Sequence, residues 1–139
     1  MSLIEDTEKK IMKLKDLTSY LDSVIPLSFQ EDYDNAGLQI GQPQKDVTSA
    51  LVCLDVTEEV ITEALAYHCD LIVSHHPLIF KGIKSLTCKT YIERILLEAA
   101  RNNLAIYSAH TNLDMLSNGV SRKMAEKLGL KEITVLKPL

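Results

Sequence analysis

The sequence lacks the features that are typical of membrane, secreted and nucleic-acid-binding proteins. No apolar run approaches the roughly 18 residues that a membrane-spanning helix needs. The first ten residues mix acidic and basic side chains and contain no apolar core of a signal peptide. The formal net charge is −4, and no basic stripe is available to replace the counterions of nucleic-acid phosphates. We therefore expect a cytoplasmic protein with no membrane segment and no dedicated nucleic-acid binding.

Cysteine is scarce, and its three copies form no pattern. Cys53, Cys69 and Cys88 include no C-x-x-C pair. An odd and unpatterned set is typical of reduced thiols in a cytoplasmic protein and argues against a thiolate zinc site. Two other signatures are missing, because Lys81-Gly82 lacks the pattern of a phosphate-binding loop and Ser74 lacks the nucleophile-elbow setting of serine hydrolases.

Hydrophobic spacing predicts helices that alternate with strands along most of the chain. Leu14, Leu17 and Leu21 recur at helical spacing, and Pro26 ends this first helix. Residues 27–49 are rich in turn formers. The order that follows indicates βαβ units, and hence an α/β fold with a largely parallel or mixed sheet flanked by helices. The predicted strands cover residues 50–55, 70–74, 104–108 and 133–136, and the predicted helices cover residues 58–68, 90–102 and 118–128.

Polar residues collect where the predicted strands end. The first of these strands ends at Asp55, the second runs into His75-His76-Pro77, and the third is followed by His110 and Asp114. Because the carboxyl ends of parallel strands meet at one edge of a sheet, three of the four histidines should converge there with a carboxylate. Imidazole nitrogen and carboxylate oxygen are ligands for zinc, manganese, iron or nickel. The sequence therefore predicts a divalent-metal site on His75, His76 and Asp114, with His110 close by.

The adjacency of His75 and His76 bears on the number of metal ions. Neighbouring residues of an extended segment point in opposite directions, so the pair suits two metals better than one, with Asp114 bridging them. Pro77 favours an extended His76, because a proline disfavours helical geometry in the residue before it. Two adjacent metals would activate a bridging water and polarise an electrophilic substrate, which predicts a hydrolase with a small-molecule substrate.

Some of these residues also have ordinary structural interpretations. Asp55 either caps the helix that begins after Thr57 or belongs to the site. Asp34-Asn35 by itself indicates only a turn. His68 ends a predicted helix, where a cation favours the helix dipole, and we assign it no functional role.

Three segments resemble the motifs of a known family. They are the segment from Asp34 to Gly41 (DNAGLQIG), the segment from Ser74 to Phe80 (SHHPLIF) and the segment from Ala109 to Asp114 (AHTNLD). Their order and spacing are similar to those of the dinuclear metal centre proteins, which are also called GTP cyclohydrolase 1 type 2 homologues. The resemblance covers residues 12–139, and residues 1–11 are then expected to be an N-terminal extension.

The resemblance implies roles for particular residues and an activity. His75, His76 and Asp114 would be ligands of two divalent metals, His110 would be a further ligand or a catalytic residue, and Asp34 and Asn35 would support the site. The activity implied is hydrolytic opening of the guanine ring of GTP or of a related heterocycle. Family members are similar to one another in forming homohexameric rings, assembled as trimers of dimers.

Two departures from the family pattern affect these expectations. Tyr33 stands where the family often has tryptophan, and no histidine follows Asp114 to supply the family's C-terminal His-x-x-x-Glu pair. The chain therefore resembles the N-terminal half of the family fold, with about two ligands missing. The main hypothesis is a metal-dependent hydrolase. The alternatives are a non-catalytic metal-binding module that serves interaction or regulation, and a purely structural half-chain whose histidine cluster holds no metal.

Overall fold

A computed structural model describes residues 11–134 of the chain. Its elements include a short 3-10 helix at Leu27–Phe29. The strands are β1 (Met12–Lys13), β2 (Gly37–Ile40), β3 (Asp46–Val47), β4 (Ala50–Cys53), β5 (Leu71–Ser74) and β6 (Ala105–Ser108). The helices are α1 (Leu14–Val24), α2 (Glu58–Ala66), α3 (Tyr91–Arg101), α4 (Thr111–Asp114) and α5 (Val120–Lys127).

The central sheet has four strands in the order β2-β6-β5-β4. Strands β4, β5 and β6 are parallel, and Cys53, Ser74 and Ser108 lie side by side at their carboxyl ends. Strand β2 pairs antiparallel with β6, so the predicted α/β fold with a largely parallel or mixed sheet is confirmed as a mixed sheet. Strands β1 and β3 form a separate antiparallel pair.

Both faces of the sheet are covered along its two central strands. On one face, Ile72 and Ile106 pack in a core cluster with Ile95 of α3 and residues of α2. On the other face, Leu71 and Tyr107 belong to a second cluster that includes α1. Consecutive strand residues are therefore buried on opposite sides, which is why β5 and β6 read as continuous apolar runs in the sequence.

The helix boundaries follow from local capping. The Thr57 hydroxyl accepts a hydrogen bond from the Val60 N–H at the start of α2. Thr90 accepts in the same way from the N–H of Glu93 at the start of α3. Helix α5 ends before Gly129, which adopts a φ of 74°.

The structure differs from the predicted elements in several places, and β1 and α4 are elements that were not predicted. The segment 27–49 was predicted to be turn-rich, yet it contains β2 and β3, which have only four and two residues and are too short for a periodicity analysis. The predicted strand over residues 133–136 lies partly outside the described residues, and Ile133 and Thr134 belong to no strand. Within residues 11–134, no helix combines the length and apolar character that a membrane crossing requires.

Gly41, at the end of β2, allows a close approach that a side chain would prevent. A Cβ atom there would lie 2.8 Å from Leu14 Cδ2 and 2.9 Å from Ala105 Cβ, and the φ of 146° is unfavourable for other residues. We expect Gly41→Ala to lower the free energy of unfolding by about 1–3 kcal/mol, measured by urea denaturation. The control is Gly82→Ala, where an added Cβ meets nothing within 4 Å, and equal effects of the two changes would contradict this account.

Asp70 joins the loop before β4 to the start of β5. Its carboxylate accepts hydrogen bonds of 2.8 Å from both the N–H and the hydroxyl of Thr48, and it lies 3.5 Å from Lys45 Nζ. Burial alone would raise the pKa of Asp70, but these contacts outweigh it and hold the pKa below its ordinary value. The carboxylate therefore stabilises the fold above the unfolded-state pKa of about 3.9, and this contribution is lost as the pH falls through the folded-state pKa.

We expect Asp70→Asn to lower the free energy of unfolding by about 1–2 kcal/mol at pH 7. The difference from the unchanged protein should shrink as the pH falls from 5 towards 3, and urea denaturation over this range measures it. Asp46→Asn is the control, since it removes only an exposed ion pair with Lys13. If the loss of unfolding free energy in Asp70→Asn stays constant with pH, the charge of Asp70 is not the cause of that loss.

Candidate metal centre

The predicted site residues follow directly after β5 and β6. The N–H groups of His75 and His76 donate to the carbonyls of Cys53 and Leu54, which tie this segment to the chain after β4. The Ala109 N–H donates to the Ser74 carbonyl, which ties the end of β6 to β5 in the same way. His110 comes next and forms the N-cap of α4. All three histidines therefore start from the carboxyl edge of the parallel strands.

The three imidazoles converge. Ring nitrogens of His75, His76 and His110 all lie within 4.8 Å of one another. Their ring centroids are 5.0 Å apart for His75 and His76, 5.3 Å for His75 and His110, and 5.6 Å for His76 and His110. The expectation that His75 and His76 point in opposite directions is wrong, because β5 ends at Ser74 and strand alternation does not continue into the bends that follow. The expectation of two metals thereby loses this argument and rests on the family resemblance.

Each imidazole is held through its Nδ1 atom. His75 Nδ1 lies 2.8 Å from the Ala109 carbonyl oxygen, His76 Nδ1 lies 2.7 Å from Asp55 Oδ1, and His110 Nδ1 lies 2.8 Å from Asp34 Oδ1. All three partners are hydrogen-bond acceptors, so we assign the proton to Nδ1 in each ring. Each neutral ring then leaves its Nε2 lone pair free. Metal-binding histidines are typically oriented by this kind of contact, and the donor set therefore fits a divalent metal.

Asp114 lies beside this cluster. Its Oδ2 is 3.8 Å from His75 Nε2, and its carboxylate is partly exposed. Two ligands at the usual distance from one tetrahedral ion are separated by about 3.4 Å, so the observed spacing is close to that of a shared ion. The helix α4 brings Asp114 close to the histidines, because its single turn returns the chain towards His110, the residue before the helix.

Asp34 connects an earlier part of the chain to the site. Its side chain has no exposed surface and accepts bonds from the N–H of Thr111 at 3.1 Å, from the Thr111 hydroxyl and from His110. Burial alone would raise the pKa of Asp34, but the bonds from Thr111, His110 and Asn35 outweigh it and lower the pKa. Asp34 is therefore a buried carboxylate that fixes the start of α4.

Asn35 contacts no histidine and instead holds the segment after Pro77. Its Nδ2 donates to the Ile79 carbonyl at 2.6 Å, while Gln39 Oε1 accepts from the Ile79 N–H at 3.1 Å. Gln39 Nε2 also donates to the Asn35 carbonyl at 2.6 Å. Asn35 and Gln39 therefore clamp both backbone groups of Ile79, a supporting function that the sequence analysis did not assign to Gln39.

The remaining polar residues of the strand ends have structural roles. Ser74 Oγ donates to the His76 carbonyl at 2.9 Å and lies 2.9 Å from Ser108 Oγ, and both serines are buried. Asn112 is fully buried, and its Oδ1 accepts from the His110 N–H. Thr57 caps α2, so Asp55 is not the cap and instead contacts His76.

Two aromatic residues beside the histidines were not predicted to belong to the site. The Phe80 ring lies 6.3 Å from the His110 ring and almost perpendicular to it, and the Tyr33 ring lies 6.3 Å from that of Phe80. Both residues belong to loops without hydrophobic periodicity. Phe80 lies inside the SHHPLIF segment, and Tyr33 directly precedes the DNAGLQIG segment. Nearness to these motifs is the signal by which the two residues could have been found.

The fold and the site define an α/β protein with an imidazole and carboxylate cluster at the carboxyl edge of its parallel strands. Residues 12–139 match the family described as Duf34/NIF3 (NGG1p interacting factor 3). The chain belongs to this family.

Relatives and solved structures agree with this assignment. The chain is 41% identical over 125 residues to a protein of Staphylococcus aureus (strain COL) and 37% identical over 121 residues to one of Clostridium perfringens, both named "GTP cyclohydrolase 1 type 2 homolog". These alignments cover 90% and 87% of the chain but 34% and 46% of the relatives. The chain therefore spans between about a third and a half of the curated relatives it matches.

Two solved structures show the same fold. A Bacillus cereus protein related to NIF3 superimposes with a TM-score of 0.87 at 39% identity, covering 94% of this chain and 36% of that one. Reduced HcgD from Methanocaldococcus jannaschii superimposes with a TM-score of 0.84 at 31% identity, covering 94% of this chain and 52% of that one.

Proposed function

We propose that the protein binds divalent metal and that its histidine cluster belongs to the active site of a metal-dependent hydrolase. The observation that carries this proposal is the common arrangement of the three imidazoles, each with Nδ1 occupied by an acceptor. His75, His76 and His110 would supply nitrogen ligands, and Asp114 would supply a carboxylate oxygen beside His75. This donor set suits zinc, manganese, iron or nickel, and the family resemblance leads us to propose two ions.

The substrate that we propose is a nucleotide or a related heterocycle. The relatives named GTP cyclohydrolase 1 type 2 homolog support this class. A bound divalent metal supplies polarisation of the substrate and lowers the pKa of water. Asp34 and Asp55 hold two of the imidazoles in place and fix the orientation of their rings. We assign His110 either a ligand position or proton transfer with the substrate, because its ring nitrogen lies in the same cluster.

A second candidate is a metal-binding module without catalysis. It is favoured by the family description, NGG1p interacting factor 3, which names an interaction and no reaction. Metal-loaded protein should be screened against nucleotides with and without a chelator. Turnover that the chelator abolishes supports the hydrolase, whereas bound metal without any turnover supports the module.

The homohexameric ring is likewise a proposal that rests on the resemblance.

His76 offers the sharpest test of the metal site, because its side chain is half exposed and its loss should leave the fold intact. We expect His76→Ala to lose bound metal, measured by elemental analysis, together with any hydrolytic turnover. The matched control is His68→Asn, which removes the fourth imidazole while tolerating the φ of 54° at this position. Metal loss with unchanged turnover would contradict the hydrolase, and full metal content in His76→Ala would contradict the site.

Asp34 tests the supporting contacts separately from the ligands. We expect Asp34→Asn to weaken metal affinity by about 10- to 100-fold, because His110 loses its charged acceptor. Calorimetric titration with zinc and with manganese measures the affinity, and circular dichroism verifies the fold. Asp32→Asn is the control, since Asp32 is an exposed carboxylate two residues away. A folded Asp34→Asn protein with unchanged metal affinity would show that this contact does not support the site.

A further inference from the structure

Two large aromatic side chains remain exposed beside the histidine cluster. Tyr33 is 65% exposed and Phe80 is 43% exposed, although their rings contact each other. A single exposed aromatic residue is common on protein surfaces and needs no explanation. An exposed aromatic pair next to convergent polar groups is instead a feature of ligand sites, where apolar walls surround a few placed polar atoms.

Both rings are attached to segments that the site itself holds rigid. Tyr33 directly precedes Asp34, which is bonded to His110 and Thr111. Phe80 directly follows Ile79, whose N–H and carbonyl are both bonded by Gln39 and Asn35. A ring that stacks on this pair would therefore meet a preformed surface and would not have to order it.

The position of Phe80 places such a ring next to His110. The Phe80 and His110 rings are 6.3 Å apart at an interplanar angle of 88°, so the edge of one ring meets the face of the other. Aromatic rings in contact have centroids about 4.5–7 Å apart. Phe80 is thus in contact with one histidine of the cluster, His110.

A groove continues from Phe80 away from the histidines. It has a volume of about 450 Å³ and is lined by Phe80, Lys81, Lys84, Ser85 and Thr90, among others. This volume falls in the range of roughly 300–1,000 Å³ that small-molecule sites occupy. The carboxylate of Glu93, which also lines the groove, is already engaged by the N–H groups of Thr87 and Lys89. The two lysines therefore favour an anionic group in the groove.

We infer that Tyr33 and Phe80 form a stacking wall that selects a planar heterocycle, and that the adjoining groove takes an anionic substituent of the same molecule. A nucleotide has both parts. The inference rests on the proposed function in one respect: the wall is placed beside the histidine cluster, which the proposed function makes the active site. It assigns Tyr33 and Phe80 as residues that determine specificity, and it assigns them no part in metal binding.

Phe80→Leu tests the wall, since leucine keeps an apolar side chain and removes the aromatic face. GTP is the probe that has a ring, and tripolyphosphate is the probe that lacks one, with binding measured by calorimetry on metal-loaded and on chelator-treated protein. We expect Phe80→Leu to weaken GTP binding about 10-fold, because a base stacks on an aromatic side chain and leucine offers no such face. Tripolyphosphate affinity and metal content should not change.

Tyr33→Leu should weaken GTP binding in the same direction, and Tyr67→Leu is the matched control. Tyr67 is 71% exposed, similar to Tyr33, but it lies at the end of α2 and lines neither the cluster nor the groove. Unchanged GTP affinity in Phe80→Leu, or an equal loss for tripolyphosphate, would overturn the inference, as would absence of GTP binding by the unchanged protein.

The metal measurements keep the two proposals separate. GTP binding that depends on Phe80 in a protein that takes up no metal would support the wall and reject the metal site. Full metal content with GTP binding that ignores Phe80 would reject the wall and leave the metal site standing.

Discussion

The parallel register of β4, β5 and β6 is the constraint on which the site depends. Because Cys53, Ser74 and Ser108 are aligned, the residues that follow them leave the sheet at one level. The backbone bonds of His75, His76 and Ala109 extend that alignment by one or two residues past the strands. A shift of one residue in any of these pairings would move the start of the following loop along the sheet and disperse the cluster.

The three histidines are held by unequal partners. His75 has a backbone carbonyl, His110 has Asp34, whose side chain has no exposed surface, and His76 has the largely exposed Asp55. A charged acceptor holds a ring N–H more strongly than a neutral carbonyl does, and burial protects that hydrogen bond from solvent. His110 is therefore the imidazole whose orientation the fold controls most closely, while His76 has the greatest freedom to adjust.

Much of the fold could be predicted because its signals are local. Pro26 ends α1, Thr57 caps α2, and the apolar runs of β5 and β6 reflect burial on both faces of the sheet. The grouping of three histidines also followed from strand order alone, although their role as metal ligands remains a proposal.

The predictions that failed depended on geometry at the ends of helices and strands. The directions of His75 and His76 could not be deduced from strand alternation, because the strand ends one residue earlier. The positions of Gln39, Tyr33 and Phe80 depend on the pairing of β2 with β6, and no pattern in the sequence predicted that pairing.

The hydrogen bonds at Nδ1 of the three histidines also differ in the length of the chain loop that each one closes. The contact of His76 with Asp55 spans 21 residues, that of His75 with Ala109 spans 34, and that of His110 with Asp34 spans 76. Loop-closure entropy grows with the logarithm of this length, so in an otherwise unfolded chain the longest closure costs about 1 kcal/mol more than the shortest. The position of His76 thus depends on the β4-α2-β5 unit, whereas that of His110 also depends on the segment before β2, at the opposite edge of the sheet.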